Sequence, residues 1–162
     1  MSTSIVVTGH RQREAWVRKE MPPVEEVRPG LWSIPVLIPE NPLRYILVYA
    51  LATADGRLAL IDTGWNTDTG WKMLVDGIHA TGHDLADVSH VFVTHLHPDH
   101  FGLVPRLLEH TDPQLAMHTA DARHLRFHSE AEQAREFEEA QQDLRILGAP
   151  TDVADTGLLE FV

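Results

Sequence analysis

The chain has 162 residues and a mass of 18.2 kDa, which suits one domain or part of a larger one. Its formal net charge of −11, with only two lysines, disfavours binding to nucleic-acid phosphates or to anionic membrane surfaces. The absence of cysteine removes disulfides, thiolate metal ligands, iron–sulfur clusters and a thiol nucleophile together.

The first thirty residues hold Arg11, Arg13, Arg18 and Lys19 but no apolar segment of signal-peptide length. No run approaches the roughly 20 apolar residues of a membrane span. These features predict a soluble, cytoplasmic protein with neither nucleic acid nor membrane as partner. Residues 1–29 are polar and punctuated by Pro22, Pro23 and Pro29, and read as an N-terminal arm with a short helix near Glu14–Glu20.

Gly30 to Ile38 is a β-rich run in which Pro35 predicts an edge or a bulge. After the Pro39, Asn41, Pro42 turn, Arg44 to Thr53 is a nearly continuous apolar run, the pattern of a buried strand. Asp55-Gly56 marks a hairpin, and Arg57 to Ile61 is the return strand. Asp62-Thr-Gly64 ends that strand. Asn66, Thr67 and Asp68 are candidate caps for a helix whose apolar spacing runs through Trp71, Leu74, Val75 and Ile78, with Gly82 as its stop.

Val88 to Thr94 is a further buried strand, followed by one helix over Phe101–His110 and a short strand over Gln114–His118. Thr119 to Leu147 is helix-like, with a break near His128-Ser129 and a stripe of Ala134, Phe137, Gln141, Leu144 and Leu147, stopped by Gly148-Ala-Pro150. Strands followed by strand–helix units predict an α/β layered sheet. The organisation is an arm over 1–29, an αβ domain over 30–120, an acidic helical segment over 121–148 and an irregular tail over 149–162. The acidic segment is a candidate lid or association surface.

Between Val88–Thr94 and the next helix stands His95-Leu-His97-Pro-Asp99-His100. Ten of the 11 histidines lie between His79 and His128, so compositional bias is the first explanation to test. Shuffling this composition yields about 0.004 matches to the His-x-His-x-Asp-His pattern, so bias does not easily produce it. In an extended segment residues two apart share a direction, so His95 and His97 are expected to aim at one point beyond the strand. Pro98 turns the chain, and Asp99 and His100 reach back from the next helix. Imidazoles with a carboxylate suit Zn, with Fe or Mn as alternatives. A single polar residue in such a loop is ordinarily a hydrogen-bonded turn former. Four together rarely cluster without a ligand.

The motif, with the preceding Asp62-Thr-Gly64 and the Gly30-Leu-Trp segment opening a hairpin, resembles the metallo-β-lactamase superfamily over roughly residues 27–120. The resemblance implies the αβ half of an αββα four-layer sandwich with one or two metals. It implies His95 and His97 as ligands of a first metal, and Asp99 and His100 as ligands of a second. Asp99 would also orient a bridging water, and Asp62 would support the ligand loop from behind. The implied chemistry is attack by metal-bound hydroxide on an ester, thioester, lactone or related bond.

The same resemblance implies later ligands that this sequence lacks. There is no Thr-Pro-Gly-His segment, and no histidine follows His128. The expectation is therefore an N-terminal portion of the fold, with the C-terminal half absent and a homodimer formed through an uncovered sheet or the long helix. His118, at the end of a strand beside the motif strand, is the candidate for an extra ligand or a substrate contact. His110, His124 and His128 are expected to face solvent or to pair with carboxylates such as Glu109 or Glu130. The alternative reading is a truncated, inactive fragment or a weak metal-binding or interaction module. A serine hydrolase is disfavoured because Ser33, Ser89 and Ser129 lack a Gly-x-Ser-x-Gly context.

Overall fold

The computed structural model describes residues 6–125 together with Glu138, Gln141, Gln142, Arg145, Ile146 and Gly148. The chain divides into two units, Met1–Asp121 and Ala122–Val162. The first holds helix α1 (His10–Arg18), strands β1 (Glu25–Arg28), β2 (Leu31–Leu37), β3 (Tyr45–Ala52) and β4 (Leu58–Ile61), helix α2 (Asp68–Ala80) and strand β5 (Val88–Val93). Two short helices, α3 (Pro98–Phe101) and α4 (Val104–Leu108), strand β6 (Gln114–Met117) and helix α5 (Thr119–Ala122) follow.

The six strands form one sheet in sequence order. β1 to β4 pair antiparallel, whereas β4–β5 and β5–β6 pair parallel. The change of direction follows from connection length. The Asp55-Gly56 turn, with Gly56 at φ +78°, allows an antiparallel return, whereas α2 is the crossover a parallel neighbour requires. Pro35 sits inside β2 opposite Leu47. β1 pairs β2 only from Leu31 to Ser33, so Pro35 lies where β2's other edge is no longer covered by β1.

Side chains on one face of the sheet (Ile34, Val36, Val48, Ala50, Leu58, Leu60, Val91) are fully or almost fully buried with Leu74 and Ile78 of α2 and Leu103, Val104 and Leu107 around α4. Each buried aliphatic side chain contributes about 1.5–3 kcal/mol by leaving water. The helix comes this close because it carries glycine at the contact. A Cβ on Gly77 would stand 2.2 Å from Ile34 Cγ2. Thr67 caps α2, its Oγ1 accepting from the Gly70 N–H at 2.9 Å.

Three elements differ from the sequence reading. α1 spans His10–Arg18 rather than Glu14–Glu20. No side chain of Gly9 caps it. Instead the buried Glu25 carboxylate accepts from the Arg11 and Gln12 N–H groups, both at 3.1 Å, an acceptor 13 and 14 residues away that local sequence does not announce. The sheet also begins inside the 1–29 arm, at β1. The single helix over Phe101–His110 is two helices, because Pro105 has no N–H to continue the first one and can serve only near the start of the second.

Beyond β6 the chain forms α5 and a turn over 123–125. Glu138, Gln141, Gln142, Arg145 and Ile146 are helical, and Gly148 follows at φ +83°. The break near His128-Ser129, the stripe residues Ala134, Phe137, Leu144 and Leu147, and the tail over 149–162 lie outside the described residues. Among the described residues no helix is long and apolar enough to cross a membrane.

Candidate metal centre

The histidine motif lies at the C-terminal end of β5, between the ends of β4 and β6. β5 stops at Val93, so the motif is not an extended continuation of the strand. Residues 94–96 bend, and the His97 N–H donates to the His95 carbonyl at 3.0 Å. This tight bend, not strand alternation, brings the first two histidines together. Their ring centroids are 4.5 Å apart, and His95 Nε2 lies 3.1 Å from His97 Nδ1.

α3 then begins at Pro98, with the fixed φ of proline suited to a first helical turn. It carries Asp99 and His100 back toward the bend. The His100 ring centroid is 4.0 Å from that of His95, and His100 Nε2 is 3.5 Å from Asp99 Oδ2. Both side chains are mostly buried but keep a solvent-accessible edge.

Asp62 holds this arrangement from beneath. It is 5% exposed and adopts φ +62°, a left-handed conformation that only short polar residues and glycine tolerate well. Its Oδ1 accepts from the Thr94 N–H at 2.8 Å, its Oδ2 lies 2.8 Å from His100 Nδ1, and the Thr94 hydroxyl donates to the same carboxylate. A proton on His100 Nδ1 satisfies that contact and leaves Nε2 as the free ring nitrogen, on the side of Asp99. The Thr63 N–H and hydroxyl donate to the His100 carbonyl at 2.8 and 3.0 Å, and the Leu103 N–H donates to the Gly64 carbonyl at 3.0 Å. Asp62-Thr-Gly64 therefore holds the C-terminal part of α3 and the residues just after it.

The donors suit a divalent cation in chemistry and in pairwise spacing. Two ligands about 2.0–2.2 Å from one tetrahedral ion stand about 3.3 Å apart, close to the 3.1 Å of His95–His97 and the 3.5 Å of His100–Asp99. The fit stops at pairs. Among the described residues no three His, Asp or Glu side chains are arranged to hold a single metal.

His118 follows β6 and is exposed. Its Nδ1 accepts from the Ala120 N–H at 3.2 Å, so the ring caps α5 rather than turning that nitrogen to the motif. His110 is exposed, in keeping with the solvent-facing expectation, and it also stacks on Trp71 at 5.1 Å, with the Arg106 guanidinium 5.0 Å from the same ring. An aromatic face within reach of a loop histidine has no signature in sequence spacing. His124 lies in an exposed turn, and His128 lies outside the described residues.

Two contributors were not legible in the sequence. Gly102 packs so tightly that a Cβ there would meet three backbone atoms, Pro98 O at 2.2 Å, Gly64 O at 2.9 Å and Asn66 N at 3.0 Å. A glycine two residues after the motif was the available signal. Asp121 Oδ1 accepts from the Leu96 N–H at 3.1 Å, within the motif itself.

The sheet is thus a mixed α/β one with a His-x-His-x-Asp-His loop at the end of a parallel strand and an aspartate from the end of the neighbouring strand holding it. The family model of the metallo-beta-lactamase superfamily matches residues 41–161, and the chain belongs to that superfamily. Among solved structures, a metallo-beta-lactamase family protein from Thermus thermophilus is 36% identical over 51% of this chain and 27% of its own, with a TM-score of 0.47. A Cronobacter sakazakii metallo-beta-lactamase with a HARLDQ motif is 23% identical over 62% of this chain and 36% of its own, with a TM-score of 0.52. A beta-lactamase domain protein from Burkholderia ambifaria is 28% identical over 58% of this chain and 30% of its own, with a TM-score of 0.46. The chain thus spans about a quarter to just over a third of the length of these structures. No curated protein matches it.

Proposed function

We propose that the motif is a metal-binding half-site of a hydrolase acting on an ester, thioester, lactone or related bond of a small molecule. The observation that supports this most directly is the Asp62–His100 contact at 2.8 Å. A carboxylate holding one ring nitrogen fixes the tautomer and presents the other nitrogen as a ligand, the usual support of a metal-bound histidine. His95 and His97 would hold one ion, and His100 with Asp99 a second, with zinc the ion of choice and iron or manganese as alternatives.

A divalent metal held there lowers the pKa of a bound water toward neutrality. The chain's own residues do the rest. Asp99, whose Oδ2 lies 3.5 Å from His100 Nε2 and would be the ligand there, would have its other carboxylate oxygen left to orient such a water and take its proton. The Thr94 hydroxyl, 3.0 Å from His95 Nδ1, holds the His95 ring and leaves Nε2 toward His97.

A second reading rests on a specific observation. Donors meet only in pairs among the described residues, and catalytic zinc ordinarily takes three protein ligands. On this reading the chain is an inactive fragment or a weak metal-binding module. Elemental analysis of the purified chain, run beside hydrolysis of a thioester and lactone panel with and without chelator, separates the two. Near-stoichiometric metal and chelator-sensitive turnover support the hydrolase. Negligible metal and no turnover support the fragment.

A further inference from the structure

We infer that Asp121 is a positioning residue for the histidine motif, acting through the Leu96 peptide that links His95 to His97. β5 ends at Val93, so the N–H groups of the bend have no strand to pair with, and a partly buried N–H left without an acceptor is costly. Two carboxylates from opposite sides fill that need. Asp62, at the end of β4, accepts from Thr94 at 2.8 Å, and Asp121, in α5 after β6, accepts from Leu96 at 3.1 Å. The two amides belong to the Val93–Thr94 and His95–Leu96 peptides, so a charged acceptor holds the backbone one peptide before His95 and again directly after it.

Topology makes this reach available. β4 and β6 are the two parallel neighbours of β5, so their C-terminal ends stand on either side of the motif. Each continues into a segment carrying an aspartate that returns toward β5. His118 supports the second arm, because its Nδ1 accepts the Ala120 N–H at the first turn of α5 and so fixes the turn on which Asp121 stands. Charge-assisted bonds of this kind are roughly twice as strong as neutral ones, which suits a bend between the end of β5 and the start of α3.

The consequence for metal binding rests on the reading proposed above, whereas the consequence for loop order does not. The test compares the full chain with Asp121→Ala and Asp121→Asn, the latter keeping an acceptor oxygen without the charge. Amide hydrogen exchange is read at Leu96, and Co²⁺ binding is read by titration and by the visible spectrum of the bound ion. In the unsubstituted chain the Leu96 amide is protected. Asp121→Ala speeds its exchange about tenfold or more, weakens Co²⁺ binding about tenfold and alters the spectrum, the size expected for loss of an outer support. Asp121→Asn restores most of each, while Tm of both variants stays within a few degrees of the parent. A Leu96 amide that exchanges at the unprotected rate in the unsubstituted chain overturns the inference, even where Asp121→Ala does not fold. So does an Asp121→Ala variant with unchanged exchange and spectrum, or an Asp121→Asn variant as impaired as the alanine. If no form of the chain binds Co²⁺, the metal reading fails and Leu96 exchange alone decides the role of Asp121.

Discussion

Asp62 and His100, 38 residues apart, meet at 2.8 Å through Oδ2 and Nδ1, and this contact ties the end of β4 to the first turn of α3. Asp62 is almost fully buried and also accepts from the Thr94 N–H and hydroxyl. Asp62→Ala strands those donors and puts a Cβ-only residue at φ +62°. The expected cost is about 3 kcal/mol, read as a lower urea midpoint. Asp62→Asn tolerates the left-handed conformation and keeps one acceptor, so it costs about 1 kcal/mol. Metal affinity falls in both variants, and a wild-type midpoint for Asp62→Ala would sink this account of the loop.

Gly102→Ala tests the same junction by crowding. All three atoms that a Cβ would meet belong to the backbone, so no side chain can swing aside. α3 must move off the Asp62-Thr-Gly64 loop, stretching the Leu103–Gly64 hydrogen bond of 3.0 Å. The loss is about 2–3 kcal/mol together with weakened metal binding. Gly82→Ala is the control. It also introduces a side chain, at φ +85°, but nothing lies within 4 Å of its Cβ, so it loses only about 1–2 kcal/mol of backbone strain and leaves metal binding unchanged.

Much of this architecture was legible because the sequence signals were local. The apolar run ending at Thr53, the Asp55-Gly56 turn and the Trp71, Leu74, Ile78 spacing each encode their element in one turn of chain. The resemblance at His95 to His100 placed the site at a strand end. What stayed hidden was non-local. The α1 cap comes from Glu25 of another strand, the Leu96 amide is held from Asp121, and His110 lies on Trp71. The approach of His95 to His97 was expected from strand alternation, but β5 ends too early and a bend brings them together instead. A one-residue difference in where a strand stops is below what residue preference resolves, because Thr94 leaves the ladder to bond the Asp62 side chain just past the neighbouring strand.

The turn at Asp55 carries a pH dependence whose sign is fixed. The Thr53 hydroxyl donates to the Asp55 carboxylate and is the main cause that holds its carboxyl below the ordinary value of 3.8; desolvation opposes it, and the Arg57 and Asp55 amides and the Arg57 charge add lesser support. A folded-state pKa below the unfolded one stabilises the fold above the unfolded value, and that stabilisation is lost as pH falls through the folded value. Asp55→Asn is always neutral there, so its Tm lies slightly below the parent's at pH 7. The gap narrows below about pH 3.8 and closes once the parent's Asp55 is protonated. A gap that widens on acidification has the wrong sign for this hydrogen bond.

Gly77 sets a conflict between helix propensity and packing. Replacing a glycine inside an exposed helix by alanine stabilises it by about 1 kcal/mol. Gly77 is in the middle of α2 but faces β2, where its Cβ would stand 2.2 Å from Cγ2 of the fully buried Ile34. Crowding of that size costs about 1–3 kcal/mol and outweighs the propensity gain. Gly77→Ala is therefore expected to lower the urea midpoint, by about 1 kcal/mol net. Ile34→Ala alone costs about 2–5 kcal/mol through the cavity it leaves. Combined, the two cost less than their sum by about 1 kcal/mol or more, because the alanine methyl enters the space the isoleucine vacates. Strict additivity, or a stabilised Gly77→Ala, would show that α2 and β2 are not in the close contact that sets the distance between the helix layer and the sheet.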